Sequence, residues 1–207
     1  MISRRRMVQQ LGLAIMVAAI PVARAQADAQ GSLAVDTIRS FYEQLSAIMK
    51  QGPSLGFAGR RNRLESAVRA AFDLPSMTRL AVGARWQTLS PQQQSELINA
   101  FGDYSAATYA TRFTHDSGLR FDVSPTTSQA GFGTVVHTKL VRSDEDPVQL
   151  DYLMRSDGTA WRIEDIYLSG TISELATRRS EFTSVMDRGG APALVEALRK
   201  KANGENS

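Results

Sequence analysis

Four short runs of alternating apolar and polar residues lie within residues 119–168, and they constrain the fold more than any other feature. A period of two predicts β-strands with one apolar face, here in an antiparallel meander. Asp157-Gly158 joins the last two runs and is typical of a two-residue type I′ hairpin turn. The four rows expected on one face are Leu119, Phe121 and Val123; Val136, Thr138 and Leu140; Val148, Leu150, Tyr152 and Met154; and Trp161, Ile163, Asp165 and Tyr167.

The other row of the fourth run is also partly apolar, through Ile166 and Leu168. We therefore expect this strand to be covered in part on both faces. The helices before and after the sheet are the available cover for its apolar face. The predicted fold class is α+β, a four-stranded antiparallel sheet wrapped by N- and C-terminal helices around an apolar pocket.

The N-terminus has the pattern of an export signal. Arg4, Arg5 and Arg6 precede an apolar run over residues 11–22, and Ala23-Arg24-Ala25 is a typical cleavage site. The apolar run is shorter than the ~20 residues of a spanning helix. We expect residues 1–25 to be removed, through the Sec pathway or, on a loose match at residues 3–8, the twin-arginine pathway. The remaining chain is then a flexible N-terminus (26–32), one domain (33–201) and a flexible tail (202–207), soluble in the periplasm.

The basic balance of the chain belongs to this signal. The full sequence has 24 Lys and Arg against 21 Asp and Glu, and the loss of Arg4, Arg5, Arg6 and Arg24 leaves 20 against 21. The charge therefore does not support nucleic-acid binding. The sequence contains no cysteine, which excludes a disulfide and a thiolate metal site.

Several helix ends are marked by local signals. Asp73 before Pro75 predicts an N-cap, Gly83 closes that short helix, and Ser90-Pro91 with Gln93 forms a capping box. Gly52-Pro53 ends the first amphipathic helix, which starts near Leu33, and Gly189-Gly190 interrupts the last one. The remaining helices are expected at about residues 57–71, 91–113 and 175–198.

Few residues could carry chemistry. The two histidines, His115 and His137, lack a neighbouring ligand at metal-binding spacing, and the acidic cluster at residues 144–146 lacks the pattern of a calcium loop. Asp103 and Asp165 are candidate buried bases, for which pairing with an arginine is the alternative reading. We expect no catalytic residue, no metal and no cofactor.

The remaining candidates are apolar and aromatic, and they could lie between the helices and the sheet. They form either a packed core or the lining of a pocket, and the pattern alone does not separate these alternatives. The expected lining is Leu80, Trp86, Phe101, Tyr104, Tyr109, Phe121, Val136, Leu140, Leu150, Tyr152 and Ile163.

Several strings together resemble one known family. They include Phe72-Asp73-Leu74-Pro75, Leu89-Ser90-Pro91-Gln92-Gln93, Trp161-Arg162-Ile163-Glu164-Asp165, and Gly189-Gly190 with the segment that follows. In this order and spacing they resemble the MlaC or toluene-tolerance family of periplasmic phospholipid-binding proteins, over residues 33–201. The strings at residues 110–113 and 117–121 are similar to the hopanoid-associated branch.

The resemblance implies a sheet and helices around a deep apolar pocket for lipid acyl chains, and no catalysis. It implies carriage of phospholipid or hopanoid between an inner-membrane ABC transporter complex and an outer-membrane partner, with only transient membrane contact. Such transport would maintain outer-membrane lipid asymmetry.

The sequence is also compatible with two other classes of function. The first is a small isomerase or dehydratase that uses a buried carboxylate, with Asp165 as the candidate base. The second is an envelope adaptor, whose helices would face a partner protein without an internal pocket.

A row of arginines on the second helix is either a solvated helix face or a docking surface. Arg60, Arg61, Arg63 and Arg69 are expected on its outer face, where they could steer the protein toward lipid phosphate or an acidic partner. Reversal of Arg60 and Arg61 to Glu should then slow lipid exchange with little loss of stability.

Overall fold

The computed structural model describes residues 19–116, 118–131, 133–143 and 145–204. It is an α+β fold in which helices pack on an antiparallel sheet, as the sequence predicts. The helices are α1 (Ala19–Lys50), α2 (Gly52–Ala71), α3 (Leu74–Val82), α4 (Pro91–Arg112) and α5 (Glu174–Ala202), with a 3₁₀ segment at Gly83–Thr88. The strands are β1 (Arg120–Ala130), β2 (Gly133–Val141), β3 (Val148–Ser156), β4 (Trp161–Leu168) and β5 (Ile172–Ser173), in the spatial order of the chain.

The sheet therefore has five strands, and the expected number of four is wrong. The additional strand, β5, pairs with the end of β4 through Tyr167 opposite Ser173 and Leu168 opposite Ile172. Two residues are too few to produce an alternation that can be detected in a sequence.

The first helix begins earlier than its amphipathic pattern suggests. It starts at Ala19 and so includes residues 26–32, for which a loose segment is expected. Residues 1–18 of the expected signal lie outside the described residues, and cleavage after residue 25 stays a prediction.

The local signals for helix ends are confirmed. The Asp73 side chain accepts a hydrogen bond from the backbone N–H of Ser76 at 3.1 Å. Ser90 and Gln93 form both hydrogen bonds of the capping box, at 3.2 and 2.9 Å. Gly83 ends α3 with a φ of 70°, and Gly189 and Gly190 interrupt α5 with non-helical backbone angles.

Two arginines of the α2 row, Arg60 and Arg69, contact α4, and the outward position predicted for Arg60 is wrong. Arg60 is 8% exposed, and its guanidinium donates to the carbonyl oxygens of Ala110 at 3.0 Å and Gly52 at 3.2 Å. Arg69 pairs with Asp103 on α4 at 2.9 Å. Long guanidinium side chains can satisfy carbonyls of neighbouring helices while their stems pack, which an outward position in a helical pattern does not reveal.

A β-bulge in β4 changes which of its residues face the helices. Leu153 pairs with Asp165, but the next residue, Met154, pairs with Ile163, so Glu164 is an extra residue. Ile166 and Leu168 therefore lie in the same row as Ile163, and the expected row that continues through Asp165 and Tyr167 is wrong.

The connection between β3 and β4 also differs from the expected two-residue turn. Ser156 pairs with Trp161, so the loop has four residues, and of these only Gly158 has a positive φ. The Asp157 carboxylate accepts hydrogen bonds from the N–H groups of Thr159 and Ala160 and from the Thr159 hydroxyl. These bonds, led by that of the Thr159 hydroxyl, lower the pKa of Asp157 to about 2, and they stabilise the wider loop.

Candidate functional site

A cavity of about 360 Å³ lies between α4, the inner face of the sheet and the start of α5. The sheet contributes its regular inner rows, because Leu140 of β2 pairs with Val148 of β3, and Leu150 of β3 pairs with Leu168 of β4. The bulge in β4 adds Ile166 to this surface. The apolar lining is Phe72, Met77, Phe101, Tyr104, Tyr109, Phe113, Leu140, Val148, Leu150, Ile166, Leu168 and Leu175.

One wall of the cavity comes from successive turns of α4. Phe101, Tyr104, Ser105, Thr108 and Tyr109 recur at intervals of three and four residues, which places them on one helix face. The hydroxyls of Ser105 and Thr108 donate to the carbonyls four residues earlier, Phe101 and Tyr104, at 2.7 and 2.9 Å. These two polar residues therefore present little hydrogen-bonding demand to the cavity.

A buried chain of hydroxyl groups lies behind the cavity wall. The hydroxyls of Tyr42 and Tyr152 are hydrogen-bonded at 2.8 Å, and that of Tyr42 also reaches Thr138 at 2.9 Å. Tyr109, which lines the cavity, hydrogen-bonds to Tyr152 in turn. Burial raises the pKa of Tyr42 to about 12 and also raises the pKa of Tyr109 and Tyr152. The three phenols are thus neutral, satisfied members of the interior.

Charged residues line the cavity together with these apolar groups. They are Arg112 at the end of α4, Arg142, Glu145 and Asp146 in the β2–β3 loop, and Glu174 and Arg178 on α5. Arg178 lies 5.2 Å from the ring centre of Tyr104. We call this group of six charged residues the mouth. The site therefore combines an apolar interior with charges, and is suited to an amphipathic molecule.

Five of the eleven expected lining residues border this cavity, namely Phe101, Tyr104, Tyr109, Leu140 and Leu150. Val136, Tyr152 and Ile163 are fully buried in the core. Trp86 is buried in the 3₁₀ segment, and Leu80 is 39% exposed on α3. Phe121 stacks on Tyr42 with ring centres 4.2 Å apart and borders a second opening.

This second opening, of about 530 Å³, lies between α1 and the first part of β1. Charged residues also line it, among them Arg39, Glu43, Lys50, Asp116 and Arg120. Phe113, which lines the first cavity, and Phe121, which lines the second, have ring centres 5.8 Å apart. The two spaces therefore approach each other at this pair of rings.

Sequence reasoning missed several lining residues for identifiable reasons. Ile166 and Leu168 are displaced into the lining by the bulge. Phe113 is the last residue of the predicted helix and the C-cap of the observed one, where periodicity no longer assigns a face. Val148 belongs to a predicted inward row and could have been included from its position beside Leu150.

The two candidate bases, Asp165 and Asp103, both make hydrogen bonds or ion pairs with other parts of the fold. Asp165 accepts hydrogen bonds from the N–H groups of Ile166 and Leu175 and from the Ser173 hydroxyl, at 2.6–3.1 Å, and so holds the start of α5. Asp103 is paired with Arg69. Neither residue lines the cavity.

The histidines lie apart from each other and from the cavity. His115 is exposed beside Thr114. His137 lies between Ser128, at 2.9 Å, and Asp151, at 3.1 Å, in an arrangement reminiscent of a catalytic triad. These three residues border neither of the two cavities described above. Within residues 19–204, leaving aside 117, 132 and 144, no cluster of three or more acidic or histidine residues could hold a metal ion.

None of the described helices combines the length and apolar character needed to cross a membrane.

The comparisons with known proteins agree with this architecture. Among solved structures, a phospholipid-binding protein from Ralstonia solanacearum, in complex with a phospholipid, is similar, with a TM-score of 0.69 and 24% identity. The match covers 83% of this chain and 98% of that one. A search of curated proteins gives no match. Residues 39–200 match the family model of the MlaC protein. The chain therefore belongs to the MlaC family.

Proposed function

We propose that this protein is a non-catalytic lipid carrier, which holds the acyl chains of a phospholipid in the cavity between α4, the sheet and α5. The observation that carries the proposal is the cavity itself, with apolar walls from three elements and charged residues among its lining. Membership of the MlaC family supports it, as does the likeness to a solved phospholipid-binding protein. The adaptor alternative expects no internal pocket and is disfavoured by the same observation.

The need for enclosure follows from the chemistry of the ligand. Two acyl chains have about 30 methylene groups, and their exposure to water costs on the order of 24 kcal/mol at about 0.8 kcal/mol each. A protein that shields part of this surface lowers the cost of moving the lipid between membranes. By the same reasoning, the cavity of about 360 Å³ would cost roughly 9 kcal/mol if it were dry and empty, at ~24 cal/mol per Å³. We therefore expect the purified protein to contain lipid.

The route of transport is proposed from the family and from the predicted export signal. The carrier would be released into the periplasm after removal of residues 1–25 and would exchange lipid with an inner-membrane ABC transporter complex and an outer-membrane partner. The ligand would be a phospholipid, and a hopanoid is the alternative that the resemblance of residues 110–121 suggests.

Extraction of the purified protein with organic solvent, followed by mass spectrometry, tests the proposal and separates the two ligands. Ser105→Trp places a large side chain in the cavity wall, and we expect it to reduce the bound lipid about tenfold, because the indole occupies space that the acyl chains need. Ser95→Trp is the matched control, because Ser95 is exposed on the same helix and lies outside the cavity lining. Protein that is free of lipid after gentle purification, or Ser105→Trp protein with a normal lipid content, would contradict the proposal.

A further inference from the structure

The charges of the mouth are balanced in sign. It has three cations, Arg112, Arg142 and Arg178, and three anions, Glu145, Asp146 and Glu174. A mouth of this kind offers no net attraction to an anionic headgroup. The six residues differ in whether they already form an ion pair, and this difference matters more for a ligand than the net charge of the mouth.

Four of the six residues neutralise each other. Arg142 and Glu145 pair at 2.7 Å within the β2–β3 loop. Arg178 pairs with Glu174 at 3.4 Å and with Glu181 at 3.1 Å, and its guanidinium also covers the ring of Tyr104. These side chains are committed to the walls of the mouth, and recruiting them for a ligand would break existing contacts.

Arg112 and Asp146 are different. Both are exposed, and neither makes an ion pair or a side-chain hydrogen bond with any residue in the part of the chain that the structure describes. They line the same cavity from two different elements, the end of α4 and the β2–β3 loop. The charge of Arg112 also acts on the phenols of Tyr104 and Tyr109, where it partly offsets the increase in pKa caused by burial. One cation and one anion are therefore available at the mouth.

We propose that the mouth selects a zwitterionic phospholipid headgroup, with the phosphate at Arg112 and the ammonium group at Asp146; this inference rests on the proposed carrier function. A guanidinium binds phosphate through paired, charge-assisted hydrogen bonds. A carboxylate attracts an ammonium group but repels a second anion. The phosphate of an anionic headgroup that lacks an amine can still bind Arg112. Asp146 then has no cation to pair with and is repelled by that phosphate.

A competition between two lipids measures this selection. The signal-free chain is stripped of lipid and then incubated with vesicles of equal amounts of phosphatidylethanolamine and phosphatidylglycerol with identical acyl chains. After re-isolation, the bound lipids are counted by mass spectrometry. We expect about threefold more phosphatidylethanolamine than phosphatidylglycerol, because a solvent-exposed charge pair contributes only modestly.

Variants of the two residues separate their roles. Asp146→Asn should bring the ratio close to one, and Asp146→Lys should favour phosphatidylglycerol. Arg112→Gln should lower the uptake of both lipids about threefold, because both have a phosphate. The controls are Glu43→Gln, on the other opening, and Arg199→Gln, on the last turn of α5, and both should behave as the unmodified protein.

The outcomes also distinguish this inference from the carrier function on which it rests. Equal uptake of the two lipids by the unmodified protein, or an excess of phosphatidylethanolamine that persists in Asp146→Asn, would overturn the headgroup selection and leave the carrier intact. If the unmodified protein takes up neither lipid, both proposals fail together.

Discussion

At the scale of single residues, the buried phenols link the stability of the fold to alkaline pH. The raised pKa of Tyr42, about 12, exceeds the ordinary value of 10 because burial disfavours the phenolate. Since the folded-state pKa is the higher one, its stabilising effect is complete below pH 10 and is lost between pH 10 and pH 12. For this one group the difference corresponds to about 3 kcal/mol.

We therefore expect the free energy of unfolding to fall steeply above pH 10, and more steeply than Tyr42 alone would cause, because Tyr109 and Tyr152 act in the same direction. Urea denaturation between pH 7 and pH 11.5, with tyrosinate absorbance recorded in parallel, measures this. Tyr42→Phe should reduce the slope. If Tyr42, Tyr109 and Tyr152 ionise near pH 10 in the folded protein, their pKa values are not raised and the predicted loss of stability has no cause.

Arg60 is a second residue with a role that its sequence position conceals. Arg60→Ala removes the donors to the carbonyls of Ala110 and Gly52 and leaves space between α2 and α4. We expect a loss of about 2–3 kcal/mol in the free energy of unfolding, measured by urea denaturation. Arg63→Ala is the control, because Arg63 is exposed and its side chain hydrogen-bonds, within the described residues, to the Gln51 side chain, and it should cost about 0.5 kcal/mol or less. Equal effects would show that Arg60 is as dispensable as a surface residue.

At the scale of elements, the sequence predicts those features that depend on neighbouring residues. The Asp73 cap, the Ser90–Gln93 capping box and the Gly189-Gly190 interruption each involve a few consecutive residues, and all are present. The β4 bulge could not be predicted in this way, because its extra residue, Glu164, is held by distant partners. Arg155 donates to Glu164 at 2.8 and 2.6 Å, and the Ser76 hydroxyl donates at 2.9 Å.

The bulge therefore depends on an ionised Glu164. Burial raises its pKa, but the hydrogen bonds from Arg155 and Ser76 together outweigh this effect, and the net pKa is below the ordinary value of 4.5. A lowered pKa stabilises the fold above pH 4.5, and the contribution is lost as the pH falls below that value.

Glu164→Gln should lower the free energy of unfolding by about 1–3 kcal/mol at pH 7. At pH 3 the variant and the unmodified protein should differ less in their free energy of unfolding. The exposed pair of Glu145 with Arg142 provides the control, Glu145→Gln, with a cost below about 1 kcal/mol. A cost of Glu164→Gln that does not depend on pH would contradict the ionised bulge.

At the scale of the whole molecule, a cavity is a property of how the elements are assembled. The alternation in β2 and β3 predicts that Leu140 and Leu150 face inward, and the periodicity of α4 does the same for Phe101 and Tyr104. Neither pattern predicts whether the inward residues fill the space between the helix and the sheet or leave a cavity there. Val136 and Leu140 belong to the same row of β2, yet Val136 is fully buried in the core and Leu140 borders the cavity. That difference depends on the distance between α4 and the sheet, which is set by all the contacts of the helix layer.

Filling the cavity should therefore stabilise the whole molecule. At a lipid concentration 100 times the dissociation constant, binding adds about 2.7 kcal/mol to the free energy of unfolding. For a domain of this size that corresponds to an increase in Tm of about 5–10 °C, which calorimetry of stripped and reloaded protein would measure. Ser105→Trp protein should show no such increase on incubation with vesicles, whereas Ser95→Trp should respond as the unmodified protein does. If reloaded protein retains lipid but its Tm equals that of the stripped form, the lipid is not bound in preference by the folded state, as a lipid enclosed between α4 and the sheet would be. An increase in Tm that survives Ser105→Trp would instead place the lipid elsewhere, with the opening between α1 and β1 as the next location to examine.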